Sequence, residues 1–166
     1  MMYQVIVLFN GYSKQLKDGK SEANCSCTLI KGQEINIIVD TMTAWDRDKI
    51  LTALRSHNVK PEEINYVVCT HSHADHIGNN NLFTHAQQHI VGYCIHRENL
   101  FDELQLSTKE ADIADPEIWK SVGKKELEKI QAKNRLMIIK SADYIVPGHG
   151  PMFKVTEDMI RQLESQ

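Results

Sequence analysis

The 166-residue sequence has little of what marks several classes of protein. It has four cysteines, too few and too widely spaced for a secreted disulfide scaffold. No apolar run approaches the roughly 20 residues that cross a bilayer, and no signal peptide precedes the first strand-like segment. The net charge of −3 gives no general positive field for nucleic acid or acidic membranes. These shortages predict a protein of the cytosol, with the nucleus as a second compartment, and neither a membrane nor a DNA partner.

What remains is the composition of an ordinary globular protein. Hydrophobic residues make up 42% and charged residues 25% of the chain, enough to bury one core. Neither an internal repeat nor a linker of biased composition divides it. The sequence therefore predicts a single domain over residues 1–166.

The first half of the chain is rich in strand signals. Apolar and β-branched runs bounded by turn residues predict five strands, at Tyr3–Phe9, Cys25–Ile30, Ile35–Val39, Tyr66–Thr70 and Gln88–Gly92. The first three are expected to pair antiparallel, with a polar loop over Ser13–Asn24 between the first two. Thr43 is typical of a helix N-cap and opens a helix that ends near Asn58.

The second half carries fewer strand signals. From His96 to Ile118 the chain is mostly polar, and no strand is predicted there. A helix is predicted from Lys124 to about Ser141, a last strand over Asp143–Pro147, and a closing helix capped by Thr156. The sheet of the first half would then keep an apolar face that the second half does not cover, which predicts a homodimer.

Three histidines and an aspartate lie within six residues in the segment THSHADHIG, which follows the fourth predicted strand. His71 and His73, two residues apart, can point to one side and hold one divalent metal. Asp75 and His76, where the chain turns, can reach a second metal nearby. Imidazole and carboxylate together suit zinc, and less selectively iron or manganese. A solvated polar loop is the alternative reading of this segment.

Two further positions bear on this metal site. His149 lies between glycines in PGHGP, where the backbone can approach closely, and we expect it to join Asp75 and His76. Asp40, at the end of the third strand, could accept a hydrogen bond from a metal-binding histidine or could belong to a plain strand-end turn. The Cys25-x-Cys27 pair is read as buried thiols rather than as metal ligands.

The pattern His-x-His-x-Asp-His at 71–76, with Asp40-Thr41 after the third strand and Gly-His149-Gly near the end, resembles the metallo-β-lactamase superfamily. The likeness extends over nearly the whole chain, through the stretches Thr70–Phe83, Asp112–Trp119 and Asp143–Val155. It implies an α+β fold, the αββα sandwich, with two zinc ions between the sheet edges. It also implies a hydrolase. A closer likeness to one member of the family, carried mainly by the last two stretches, implies an endoribonuclease that acts at the 3′ ends of histone pre-mRNA.

The resemblance also assigns the site residues. His71 and His73 would hold the first zinc, and Asp75, His76 and His149 the second. Asp75 would in addition be catalytic, by orienting the attacking water or accepting its proton.

The chain departs from the family pattern in three places. It lacks the family's third histidine for the first zinc and the aspartate that bridges both metals, and Met42 replaces the glycine usual after Asp-Thr. The simplest explanation is an internal segment missing near residues 101–109, which would leave the second sheet incomplete. One zinc at most is then expected in this chain, where the family has two.

Two other functions stay open at this level. A chain without the full ligand set could be a catalytically inactive protein that acts by binding alone. It could also be a thioester hydrolase of the glyoxalase II type, which shares the first motif and acts on a small molecule.

Overall fold

A computed structural model describes residues 3–103 and 125–165, without the side chains of residue 103 and of residues 125–131. The chain divides into two compact units. The first consists of Met1–Gln105 together with Gly148–Pro151, and the second of Leu106–Pro147 with Met152–Gln166.

A seven-stranded sheet is the centre of the first unit. Its strands are β1 (Gln4–Phe9), β4 (Cys27–Lys31), β5 (Asn36–Val39), β6 (Tyr66–Cys69), β7 (Gln88–Val91), β8 (Cys94–Arg97) and β9 (Leu100–Glu103), in the spatial order β1-β4-β5-β6-β7-β8-β9. The pairs β5/β6 and β6/β7 are parallel and the other neighbours are antiparallel. The antiparallel set β1, β4 and β5 is the one expected from the sequence.

The parallel pairs determine where the polar loops lie. Helix α1 (Arg47–Ser56) connects β5 to β6, and the short helix α2 (Ala74–Ile77) lies between β6 and β7. Parallel strands joined by such crossovers end at the same edge of the sheet. The segments that follow β5 and β6, which contain Asp40 and His71–His76, are therefore neighbours in space.

The core lies against this sheet. Alternate residues of β4, β5 and β6 contribute Leu29, Ile38 and Val67, all fully buried. From α1, Ile50 and Leu54 are fully buried on one face, as the periodicity predicts. Burying a side chain of this size stabilises the fold by about 1.5–3 kcal/mol.

Two parts of the strand prediction are wrong. The segment from His96 onward was expected to hold no strand, but β8 extends through Arg97 and β9 follows it. Two-residue turns join these strands, with Gly92 (φ 57°) and Glu98 (φ 53°) in the left-handed conformation. Antiparallel pairing outweighs the weak apolar alternation of these short strands.

The expected polar loop over Ser13–Asn24 is also structured. It forms the hairpin of β2 (Tyr12–Gln15) and β3 (Ser21–Asn24), whose connection contains Gly19 at φ 83°. Both faces of this exposed hairpin are polar, so its sequence shows no apolar alternation and resembles that of a loop.

The second unit contains two helices and a short ribbon. Its elements are α3 (Lys125–Ser141), β10 (Tyr144–Ile145), β11 (Phe153–Lys154) and α4 (Glu157–Glu164). Thr156 caps α4, as predicted, because its hydroxyl accepts a hydrogen bond from the Met159 backbone at 3.3 Å. Lys140 of α3 pairs with Glu164 of α4 at 2.5 Å.

The α+β class predicted from the sequence is confirmed. The single domain over 1–166 and the missing segment near 101–109 stay predictions, and residues 104–109 and Asp112–Trp119 lie outside the described residues. Within the part of the chain that is described, no helix combines the length and the apolar character needed to cross a bilayer.

Asp46 makes the stability of the first unit depend on pH. Burial alone raises the pKa of this carboxyl, but hydrogen bonds from Lys49, Thr43 and Asn24 outweigh that effect, so its pKa lies below the usual value. A lowered pKa contributes stability above the unfolded-state value near 4, and this stability is lost as the pH falls through the folded-state value. Asp46→Asn should therefore lower the free energy of unfolding by about 1–3 kcal/mol at pH 7 and by less at pH 3.

Urea unfolding of both proteins from pH 3 to pH 7 tests this. Asp48→Asn, which changes an exposed neighbouring aspartate, is the matched control and should leave the pH profile unchanged. A constant difference between wild type and Asp46→Asn across that range would contradict the assignment.

The four thiols differ in accessibility. Cys25, Cys27 and Cys69 are free and buried, and burial raises their pKa, to about 12 for Cys69. Cys94 is only half-buried. We expect one thiol per chain, Cys94, to react with iodoacetamide in the native protein and all four after unfolding. Mass spectrometry of the labelled peptides is the measurement, and rapid labelling at Cys25 would contradict it.

Candidate metal centre

His76 is held by a buried carboxylate. Its Nδ1 lies 2.9 Å from Oδ2 of Asp40, and both side chains are almost fully buried. Asp40 is fixed in turn by the Thr70 backbone N–H, which donates to Oδ1 at 2.8 Å, and by the Thr70 hydroxyl. An ionised carboxylate only accepts hydrogen bonds, so the contact with Asp40 assigns the proton of a neutral His76 imidazole to Nδ1 and its lone pair to Nε2.

The orientation of His149 is also fixed by a hydrogen-bond acceptor at its Nδ1. Its Nδ1 lies 3.1 Å from the backbone carbonyl of Asn24, which can only accept a hydrogen bond. Ser26 holds the loop on both sides of this histidine: its backbone N–H donates to Gly148 O at 2.7 Å and its hydroxyl donates to Gly150 O at 3.2 Å. The lone pair of a neutral His149 is therefore also on Nε2.

Both free nitrogens face Asp75. Its Oδ2 lies 3.7 Å from Nε2 of His76 and 3.8 Å from Nε2 of His149. One ligand atom from each of the three residues lies within 4.8 Å of the others. Nε2 of His76 is buried and has no hydrogen-bond partner among the described residues. A cation would satisfy this atom, and two imidazoles with one carboxylate suit zinc.

His71 and His73 form a separate pair. His71 Nε2 lies 2.9 Å from His73 Nδ1, and His71 Nδ1 lies 3.1 Å from the Thr70 hydroxyl. The His71 and His76 rings are close, with centroids 4.0 Å apart. Within residues 3–103 and 125–165, neither His71 nor His73 belongs to a group of three convergent metal-ligand side chains.

A second cluster of potential ligands contains Cys25, Asp40 and His76, all buried. The Asp40 carboxylate already accepts from Thr70 and faces His76 Nδ1. Burial also raises the pKa of the Cys25 thiol, which disfavours the thiolate form that binds metals. This cluster therefore supports His76 rather than forming a metal site of its own.

A cleft of about 730 Å³ opens beside the candidate ligands. Small and apolar residues line most of it: Ser21, Ala23, Thr43, Ala44, Trp45, Ala74, Ile77 and Gly78. His73, Asp75 and His149 complete the lining. The volume falls within the range usual for small-molecule sites, so the cleft can admit a substrate of nucleotide size.

Several residues that support this site were not predicted from the sequence. Asn79 is buried, and its Nδ2 donates to the carbonyls of Thr41 and Thr43 at 2.7 and 2.6 Å, which ties the loop after β5 to the end of α2. Ser26 and Thr70 act as described above. A polar residue inside an apolar strand, such as Ser26, was the only available signal.

Gly78 has a steric role at the end of α2. A Cβ at this position would lie 2.4 Å from the backbone atoms Met42 O and Ala44 N. Only glycine allows α2 to approach the loop after β5 so closely.

These features and the sequence of the chain agree on one class of protein. The chain belongs to the metallo-β-lactamase superfamily, whose sequence profile matches residues 21–160. Proteins of this family typically bind zinc, and its fold is that of metal-dependent hydrolases.

Individual relatives support the same assignment. Metallo-beta-lactamase domain-containing protein 1 of Xenopus laevis is 30% identical over 195 residues, covering 92% of this chain and 82% of that protein. The protein of the same name from Rattus norvegicus is 24% identical and is matched over 77% of this chain and 66% of its own length. A Thermotoga maritima crystal structure assigned to the metallo-beta-lactamases has a TM-score of 0.60 at 16% identity, covering 92% of this chain and 99% of that one. At that identity the likeness shows the fold alone.

The Xenopus alignment is longer than the chain. Its 195 positions exceed the 166 residues present here, so it includes residues of the relative that have no counterpart in this chain. The position of that stretch near residues 101–109 stays a prediction.

Ser26 offers a test of how His149 is positioned. Ser26→Ala removes the hydroxyl that donates to Gly150 O and accepts from the Gly11 N–H at 2.8 Å. The loop should loosen, and zinc affinity measured with a competing chelator should fall by about 10-fold, as is typical for the loss of a supporting hydrogen bond. Ser56→Ala, on the exposed end of α1, is the control. An unchanged zinc affinity would contradict this role.

Proposed function

We propose that this chain is a zinc-dependent hydrolase that cleaves RNA, with one zinc held by Asp75, His76 and His149. The proposal depends on one observation, which is that His76 and His149 are oriented in the same way. In each, Nδ1 is engaged by a fixed acceptor while Nε2 faces the Asp75 carboxylate. Metal-binding histidines in proteins are commonly oriented in this way.

Each residue has a stated part in the proposal. His76 and His149 hold the metal, and Asp40 and Asn24 fix their orientation. Asp75 is partly open to solvent, with 20% of its side chain exposed, so it can orient a water molecule or accept its proton. Zinc bound there would supply Lewis-acid chemistry toward a scissile phosphoryl oxygen.

The RNA substrate rests on the resemblance described in the sequence analysis, which points to an endoribonuclease of histone pre-mRNA 3′ ends. The size of the cleft supports a substrate of nucleotide dimensions. A cytosolic or nuclear location and a homodimer belong to the same proposal. The exposed Leu100 and Phe101 on the edge strand β9 are apolar surface that a second copy could cover.

A second candidate function is favoured by the His71/His73 pair. With only two convergent ligands among the described residues, this pair is below the three protein ligands usual for a catalytic zinc. If chemistry requires two metals, the chain is an inactive protein that acts by binding.

Zinc content and cleavage together test both functions. By elemental analysis we expect about one zinc per chain, with cleavage of a short single-stranded RNA. His149→Ala should lose the zinc and the cleavage. His71→Ala should lose cleavage and lower the zinc content, because the His71 ring packs against the ligand His76 with centroids 4.0 Å apart. His85→Ala, at an exposed histidine outside the cleft, should change neither.

Three outcomes decide between the functions. Zinc without RNA cleavage favours the binding protein. Hydrolysis of a glutathione thioester, with RNA left intact, favours the glyoxalase II type. RNA cleavage that survives in His149→Ala contradicts the assigned site.

A further inference from the structure

Trp45 is an exposed aromatic side chain that the fold does not use. Its indole is 91% exposed, and it lies in the 3₁₀ turn Ala44–Asp46 that precedes α1. A large apolar side chain so open to water contributes little to the folding free energy. Trp45 lines the cleft together with His73, Asp75 and His149, so its indole can contact a ligand bound there.

The backbone that carries this indole is rigid. The neighbouring Asp46 is buried, and its carboxylate accepts hydrogen bonds from Asn24 at 2.7 Å, from the Thr43 hydroxyl at 2.5 Å and from Lys49 at 2.6 Å. A side chain on a fixed turn loses less conformational entropy when it meets a ligand. Trp45 is therefore prepared for contact with a ligand and not part of a loose loop.

The lining of the cleft indicates what kind of group would lie there. Among the described residues that line it, none is lysine or arginine, and Asp75 is the one carboxylate. The part of the cleft away from Asp75 and His149 therefore suits an uncharged group better than a phosphate. The small residues Ala23, Ala44 and Ala74 leave room for a flat, uncharged ring.

We propose that Trp45 stacks on a nucleobase of a single-stranded RNA substrate, which deepens the proposed function and rests on it. The base would lie in the cleft, and the phosphate backbone would be left to the metal centre at Asp75 and His149. Stacking of this kind tolerates any base, because every base has a π-face. Trp45 would then set affinity for unpaired RNA rather than sequence preference.

The test measures binding to the zinc-loaded protein, with phosphorothioate linkages in both probes to suppress cleavage. The probes are a five-nucleotide single-stranded RNA with a fluorescent 3′ end and the same backbone without bases. Trp45→Ala should raise the Kd for the RNA by about 10-fold, whereas Trp45→Phe, which keeps a ring, should raise it by less than about 3-fold. The abasic oligomer should bind wild type and Trp45→Ala equally weakly.

Two controls accompany the measurement. Tyr144→Ala removes another exposed aromatic ring, outside the cleft lining, and should leave the Kd unchanged. In a Trp119→Phe background, RNA should quench the fluorescence of Trp45 and the abasic oligomer should not.

Equal Kd values for wild type and Trp45→Ala would overturn the proposal. So would an equal loss of binding to the abasic oligomer, which would show that the indole acts on the backbone or on the fold. Failure of the proposed function looks different: the zinc-loaded wild type would cleave no RNA, whatever the result of the stacking measurement.

Discussion

The contact between Asp40 and His76 is the constraint on which the candidate site depends. It exists because β5 and β6 are parallel neighbours, so the residues that follow them, Asp40 and Thr70, meet at one edge of the sheet. A buried carboxylate is costly unless its oxygens are satisfied. Thr70 and His76 satisfy Asp40, and the same contact sets the tautomer of His76. The order of the strands therefore brings Asp40 and His76 together. Their contact both satisfies the buried carboxylate and orients the candidate metal ligand.

The loop after β5 shows what this arrangement costs. Asp40 and Met42 both have φ 56°, a conformation that costs an ordinary residue about 1–2 kcal/mol, though aspartate tolerates it better than methionine. The resemblance places glycine at position 42, which would adopt it freely. Met42 is buried, and loss of a buried methionine side chain costs about 2–5 kcal/mol. The packing of the Met42 side chain therefore outweighs the backbone strain at this position. Asn79 also holds the loop, because its side chain donates hydrogen bonds to the carbonyls of Thr41 and Thr43.

The sequence was most informative where one residue type has one physical role. Apolar alternation indicated the strand over 35–39, and a continuous buried run indicated the strand over 66–70. The clustered histidines indicated the candidate metal site. Tertiary partners were not readable in this way. That Ser26 would reach the glycines around His149, 122 to 124 positions along the chain, has no local signature. Strands β8 and β9 were missed because these short strands form through pairing with their neighbours rather than through an apolar pattern.

The distribution of the supporting contacts explains how a shortened chain could keep a metal centre. Asp75, His76 and His149, and the residues that orient the two histidines, all belong to the first unit and lie outside residues 101–109. The hydrogen bonds of Ser26 bring Gly148–Pro151 into that unit from the far end of the sequence. A segment missing near 101–109 would therefore remove ligands of the His71/His73 metal without touching the second set. Asp75, His76 and His149 therefore stay together whether or not such a segment is missing.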